Sequence, residues 1–225
     1  MSAVFITGTG TSVGKTFVCA GLIGYFRGLG QSVNAFKPLV SGFDPDAPSG
    51  SDPAVLLEAL GREVKQDELQ RISPWRFRAP LSPDMAARAE ERAIDFDEVV
   101  DFCRAAIAGN DGGLLIEGIG GIMVPLDGRH TVLDLMSLLD LPLILVAGSY
   151  LGTLSHVLSA QDVLLHHALD LRAIVVSESE GAPVPLGATL ATLANFAKAP
   201  LLGLRRHVPA RQNDAVFQHL AELIA

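Results

Sequence analysis

Short apolar runs recur along the chain: Val4-Phe5-Ile6, Val33-Asn34-Ala35-Phe36, Leu114-Leu115-Ile116, Leu143-Ile144-Leu145-Val146 and Ala173-Ile174-Val175-Val176, with Leu201-Leu202 a weaker sixth. A strand with one wet face alternates apolar and polar residues, and most of these runs do not. They fit strands covered on both faces, as in a parallel sheet. The segments between them carry helical spacing. In one, Phe96, Val99, Val100, Cys103, Ala106 and Ile107 share a face, Asp95 and Glu98 make a capping-box-like start, and Gly109 ends it. Phe17 through Phe26 is a second such segment. Strand and helix alternate, which predicts an α/β fold with a mainly parallel central sheet flanked by helices.

The chain has 225 residues, 49% of them apolar, which suits one domain over residues 1–225 with an ample core. No repeat or composition break divides it. A formal charge of -8, without any run of lysine or arginine, argues against nucleic acid or an anionic membrane as the partner and leaves a small molecule. No stretch reaches the ~18 to 20 apolar residues of a membrane span, so the expected location is cytoplasmic. Cys19 and Cys103 lie inside helical patterns and form no C-x-x-C pair, as buried reduced thiols do. Two stretches are rich in turn residues: SGFDPDAPSGSD at 41 to 52 and SESEGAPVPLG at 177 to 187. Loops of the first kind carry ligands in α/β proteins.

GTGTSVGKT at residues 8 to 16 fits G-x-x-x-x-G-K-[ST], with an apolar strand before it and an apolar-periodic helix after it. Its glycines let several backbone N–H groups turn inward toward phosphate, at a helix N-terminus. Thr11, Ser12, Val13 and Gly14 form the wall of that cradle, and Phe17 follows it. Lys15 would neutralise the terminal phosphates and Thr16 would hold magnesium. The segment therefore predicts a nucleoside triphosphate site in a P-loop NTPase-type domain.

Magnesium also asks for carboxylates. Glu117 ends the run Gly113 to Ile116 and precedes Gly118-Ile119-Gly120-Gly121, at the carboxyl edge of the sheet where open α/β folds bind ligands. Asp52 closes the first turn-rich loop, though Ser-Asp-Pro also reads as a helix N-cap. Lys37 is a cation at the end of the second run, either facing the phosphates or snorkelling from the surface.

Taken together, the motifs resemble the dethiobiotin synthetase family. The resemblance runs in order through TGTGTSVGKT at 7 to 16, KPLVSG at 37 to 42, SD at 51 to 52 and APLSP at 79 to 83. It continues through LLIEGIGGIMVPL at 114 to 126, LGTLSHVLSA at 151 to 160 and APLLG at 199 to 203. It implies ATP-dependent closure of 7,8-diaminononanoate with carbon dioxide to dethiobiotin, through a carbamate and a carbamic-phosphoric anhydride. It implies a homodimer with active sites at the subunit interface, ATP as co-substrate and magnesium held by Thr16, Asp52 and Glu117. Lys37 and Lys15 take catalytic roles, and Ser41 contacts the substrate. Gly152, Thr153 and Ser155, at the start of a helix, face the substrate's carboxylate. Ser177 stands where the family has an asparagine that reads adenine.

The chain departs from the family pattern at Ser12, at Asp84 where a histidine is frequent, at Ser155 in place of asparagine, and at Ser177. The later base-lining segment is Gly203-Leu204-Arg205-Arg206-His207, where the family has Gly-x-(Ile/Leu)-Pro. The competing reading is a nucleotide-gated dimeric switch ATPase of the partition or positioning type. That class carries a second, early lysine in K-G-G-x-G-K-[ST], and Gly10 occupies the position here.

Overall fold

The computed structural model describes residues 3–206 and 213–225. Each of the six apolar runs is a strand: β1 (Ala3–Gly8), β2 (Val33–Phe36), β5 (Gly113–Glu117), β6 (Leu143–Gly148), β7 (Leu171–Ser177) and β8 (Leu201–Leu204). They form one sheet in the order β2-β5-β1-β6-β7-β8, parallel at every pairing. Two further strands of two residues each, β3 (Leu39–Val40) and β4 (Trp75–Arg76), pair in parallel apart from it.

The continuity of the apolar runs follows from burial on both faces. Phe5, Leu114, Ile116 and Leu145 point into one core, which α5 (Phe96–Ala108), α6 (Val132–Leu139), α7 (Thr153–His166) and α8 (Leu186–Leu193) cover. Their strand neighbours Val4, Ile6, Leu115, Ile144 and Val146 point into the other, beneath α1 (Lys15–Gly28), α2 (Asp52–Ala59), α3 (Gln66–Ile72) and α9 (Asp214–Leu223). A short helix, α4 (Pro83–Ala89), follows the turn Pro80–Ser82. Among the described residues no helix is long and apolar enough to cross a membrane.

Some boundaries move from the sequence expectation. Helix α1 starts at Lys15, two residues before the apolar pattern, because its first turn is polar for a chemical reason and contributes nothing to the periodicity. Helix α8 begins at Leu186, so the second turn-rich stretch loses its last two residues to it. At α5 the Asp95 carboxylate accepts the N–H groups of Asp97 and Glu98, and Gly109 follows as expected. The acid that reaches back to an N-cap N–H is instead Asp134, which accepts from Thr131 N at 2.7 Å at the start of α6. Cys19 and Cys103 are buried and reduced.

Strand β1 sits centrally between β5 and β6, with Ile6 in register with Glu117 and Gly8 with Val146. The carboxyl ends of β1 and β5 therefore open side by side. One delivers the glycine-rich loop and the other delivers Glu117, so the crevice outside the sheet falls between them.

Candidate active site

The loop after β1 turns through two residues with positive φ, Ser12 at 57° and Gly14 at 102°. Gly14 has a second reason to lack a side chain: a Cβ there would lie 2.8 Å from the Ser177 hydroxyl oxygen. The turn hands the chain to α1, whose first residue is Lys15. Lys15 is buried, and its Nζ donates to Gly10 O at 2.6 Å and to Gly120 O at 2.9 Å. The ammonium thus joins the loop after β1 to the glycine turn after β5. Thr9 and Gly121 form an antiparallel bridge between the same two segments, and a Cβ on Gly121 would come within 3.0 Å of the Thr9 carbonyl oxygen.

Beside Lys15 lies an ion cluster with almost no contact with water on two of its members. Lys37, immediately after β2, is 2% exposed and Glu117 is 1% exposed. Nζ of Lys37 donates to Glu117 Oε1 at 2.6 Å, reaches Gly118 O at 3.2 Å and lies 3.1 Å from Asp52 Oδ2. Thr16 Oγ1 donates to the same Glu117 Oε1 at 2.8 Å. Asp52 is the first residue of α2, and Ser51 is the N-cap, its hydroxyl accepting from Ala54 N. The Ser-Asp-Pro segment is therefore both a helix start and a source of a site carboxylate.

The charges tune one another. Burial lowers the pKa of Lys15 to about 8, and the like charge of Lys37 adds to the effect against the pull of Glu117 and Asp52. Burial acts on Lys37 in the same direction, but Glu117 and Asp52 together outweigh it, and its pKa stands above the ordinary lysine value. Burial would raise the Asp52 carboxyl; Lys37, with Thr16 and Lys15, overcomes this and holds it below the ordinary value. The second oxygen of Glu117, Oε2, is buried and has no hydrogen-bond partner among the described residues.

This cluster floors a cavity of about 530 Å³. Thr11, Ser12, Gly14, Lys15, Thr16, Lys37, Ser41, Asp52 and Glu117 all line it, so the structure brings together most of the residues singled out in the sequence. Val13 and Phe17 do not line it; with Ser177 they face a second cavity of about 540 Å³ on the other side of the phosphate loop. Arg205 and Arg206 line that second cavity, and His207 lies outside the described residues.

Gly152, Thr153 and Ser155 are not part of either cavity. Gly152 is the N-cap of α7 with φ 98°, and the Thr153 hydroxyl is buried and donates to Gly148 O. Gly152 and Ser155 are exposed, so within one chain they face solvent and not the cluster.

Another wall of the first cavity is Pro80, Leu81, Ser82 and Pro83, with Val40, Ile119 and Val124; the sequence reading quoted the motifs that contain them but gave these residues no place in the site. The signal was the motif APLSP at 79 to 83, whose Leu81 is 42% exposed at the cavity. Sequence reading missed Tyr150, whose hydroxyl lies 2.8 Å from His156 Nδ1 and 3.5 Å from Thr9 Oγ1, linking the start of α7 to the phosphate loop. Asp84 turns away into α4, taking hydrogen bonds from Ser82 Oγ at 2.6 Å and from Arg88 at 2.8 Å.

Comparison with known proteins matches this arrangement. An AAA domain family model covers residues 2–212. An ATP-dependent dethiobiotin synthetase BioD of Caulobacter vibrioides is 52% identical over 87% of this chain and 88% of its own length. A protein of the same name from Methylobacterium nodulans is 45% identical over 96% and 99%, and one from Legionella pneumophila 36% over 90% and 92%. Among solved structures, the cell division ATPase MinD of Pyrococcus furiosus superposes with a TM-score of 0.56 at 16% identity, over 100% of this chain and 98% of that one. That likeness concerns the fold alone. A phosphate loop closed onto IEGIGG by Lys15, with Lys37 set between Asp52 and Glu117, accompanies identity over nearly the whole chain, and the protein belongs to the ATP-dependent dethiobiotin synthetase family.

Proposed function

We propose that the chain catalyses ATP-dependent closure of the ureido ring: 7,8-diaminononanoate and carbon dioxide become dethiobiotin as ATP becomes ADP and phosphate. The observation that carries this reading is the buried Lys37 between Glu117 and Asp52 at the floor of a cavity that Lys15 and Ser41 also line. The reaction needs no nucleophilic side chain. The 7-amino nitrogen bonds to carbon dioxide and loses a proton, giving a carbamate. A carbamate oxygen attacks the terminal phosphorus and releases ADP. The 8-amino nitrogen then attacks the carbamic-phosphoric carbonyl, loses its proton, and expels phosphate as the five-membered ring closes.

What such a sequence asks of a protein is position and charge. A carbamate and a triphosphate repel each other, and Lys15 and Lys37 offset that repulsion in a site screened from water. The cradle from Thr11 to Thr16 holds the triphosphate, and Ser41 offers a hydroxyl to the diamine. Neither cysteine lines either cavity, in keeping with chemistry that forms no covalent enzyme intermediate.

Thr16, Asp52 and Glu117 are the residues that would hold magnesium. Their fit rests on three oxygen donors converging beside Lys37, an ammonium already lodged between the two carboxylates, and on the buried Glu117 Oε2 that has no partner among the described residues. Two carboxylates and a hydroxyl are the modest donor set of an ion that keeps most of its shell as water and phosphate oxygen. Bound there, magnesium would neutralise charge on the terminal phosphates.

The chain is expected to act as a homodimer. Gly152, Thr153 and Ser155 lie outside both cavities of their own chain, beside Leu151, 86% exposed, and Leu154, 38% exposed. A second copy covering those leucines would bring the N–H groups at the start of α7 toward a neighbouring site, where they could receive the substrate's carboxylate.

Incubation with diaminononanoate, bicarbonate, magnesium and ATP tests the reading. Dethiobiotin and ADP are expected in equal amounts, with ADP release dependent on the diamine. Diamine-independent ATP hydrolysis with no dethiobiotin would overturn it in favour of a switch ATPase, even though Gly10 lacks the early lysine of that class.

A further inference from the structure

The second cavity, on the far side of Gly14 from the ion cluster, has the size and place for a nucleobase, yet offers little to a base edge. Ser177, on its wall, has one hydroxyl and not the two-pronged amide that pairs with an adenine edge. The backbone around it is already committed. Glu178 N donates to Leu204 O at 2.8 Å, Ser179 N to Ser149 Oγ at 2.9 Å, and Arg206 N to Glu178 Oε2 at 2.9 Å. Arg205 has both backbone groups taken by the Asn213 amide, which accepts from its N and donates to its O.

The side chains that remain for an edge are the Ser177 hydroxyl, the carboxylates of Glu178 and Glu180 and the guanidinium groups of Arg205 and Arg206, all of which line the cavity. A carboxylate accepts hydrogen bonds only, and every base edge carries a donor: the amino groups of adenine and cytosine, the amide and amino groups of guanine, the imide of uracil. Every base edge also carries an acceptor for a guanidinium or a hydroxyl, so these long, flexible acceptors and donors find partners on all four bases and do not choose among them.

The faces are better provided for. Phe17 follows the P-loop threonine directly, lines this cavity and is 47% exposed. It meets Phe217 edge-on, with ring centroids 6.4 Å apart at 63°, which fixes the ring from behind. The Arg205 guanidinium lines the same cavity and makes no hydrogen bond or ion pair among the described residues.

We propose that this cavity holds the nucleobase by its face, between the Phe17 ring and the Arg205 guanidinium, so that all four ribonucleoside triphosphates bind within about tenfold of one another. The inference rests on the nucleotide-dependent reaction proposed above and adds to it a permissive base site. Stacking on an aromatic ring is tolerant of sequence because every base has a π-face, and an arginine adds a cation–π contact that is equally tolerant. The phosphates, held by the cradle, supply the common part of the affinity.

The test is calorimetric titration with ATP, GTP, CTP and UTP in magnesium, alongside dethiobiotin synthesis from each. Titration needs no turnover, so absence of synthesis would speak against the reaction without touching the base site. Dissociation constants within about tenfold of one another are expected; an ATP preference beyond tenfold over the other three overturns the inference. Phe17→Ala should weaken all four nucleotides about tenfold and leave inorganic tripolyphosphate, which has no base, unchanged. Arg205→Ala should act in the same direction by a smaller factor and likewise spare tripolyphosphate. Unchanged nucleotide binding in Phe17→Ala, or an equal loss for tripolyphosphate, would show that the ring acts only on the phosphate loop and not on the base.

Discussion

Nζ of Lys37 stands 2.6 Å from Oε1 of Glu117, and both side chains are almost wholly removed from water. A pair this deep is held by mutual dependence: removing one partner strands the other's charge, which costs about 3 to 5 kcal/mol. The same oxygen of Glu117 accepts from Thr16 Oγ1, so the pair joins the end of β5 and the segment after β2 to the phosphate loop. Structure and chemistry thus share one contact, and its disruption must report on both.

Lys37→Ala should therefore do two things. Loss of a charge aimed at the transferring phosphate lowers turnover by about a thousandfold or more. Loss of the buried partner of Glu117 lowers the melting temperature by about 10 °C, at roughly 2 to 4 °C per kcal/mol for a chain of this size. Steady-state kinetics and a thermal scan read the two effects separately. Turnover within tenfold of the parent would remove Lys37 from the catalytic set.

Glu117→Gln keeps the shape of the side chain and removes its charge. If Glu117 helps to hold magnesium, the magnesium concentration for half-maximal activity rises about tenfold or more, with less effect at saturating metal. A magnesium titration that overlays the parent's would sink the ligand assignment, whatever happened to turnover.

The sheet was legible because strands buried on both faces lose polar alternation, and all six apolar runs became its strands, down to Leu201-Leu202. The phosphate loop was legible for the opposite reason: its sequence is dictated by chemistry, not by burial. Strands β3 and β4 were not, since two residues carry no periodicity and their pairing joins positions 39 and 75, far apart in sequence. Asp52 was ambiguous because one residue serves a helix start and a site. The wall from Pro80 to Pro83 could not be placed from sequence, because its apposition to the phosphate loop comes only from tertiary packing.

Lys15 gives a pH signature. Its pKa in the free protein is about 8, so above that pH ATP must bind with uptake of a proton, and affinity for ATP falls as pH rises through about 8. The stability sign is opposite. The folded pKa lies below the unfolded value of 10.5, so between about 8 and 10.5 the unfolded chain binds more protons, and this group favours the folded state more as pH rises. Titration of ATP between pH 7 and 9.5 should show the decline in the parent and lose it in Lys15→Met. A pH-independent affinity in the parent would contradict a Lys15 pKa near 8 in the free protein.

Leu151 offers a test of assembly that leaves the ion cluster intact. It is 86% exposed, beside Gly152 at the start of α7, and Leu154 nearby is 38% exposed. If it is covered by a second copy, Leu151→Asp buries a charge at the contact and favours dissociation, which sedimentation velocity would read as a shift from dimer to monomer. The Gly152–Ser155 segment would leave the neighbouring site with it. The Michaelis constant for diaminononanoate should then rise about tenfold or more while titrated ATP affinity stays near the parent's, because Lys15, Thr16 and the second cavity belong to one chain. A parent that sediments as a monomer with full activity would refute the shared site, and a dimeric Leu151→Asp with unchanged kinetics would move the interface elsewhere.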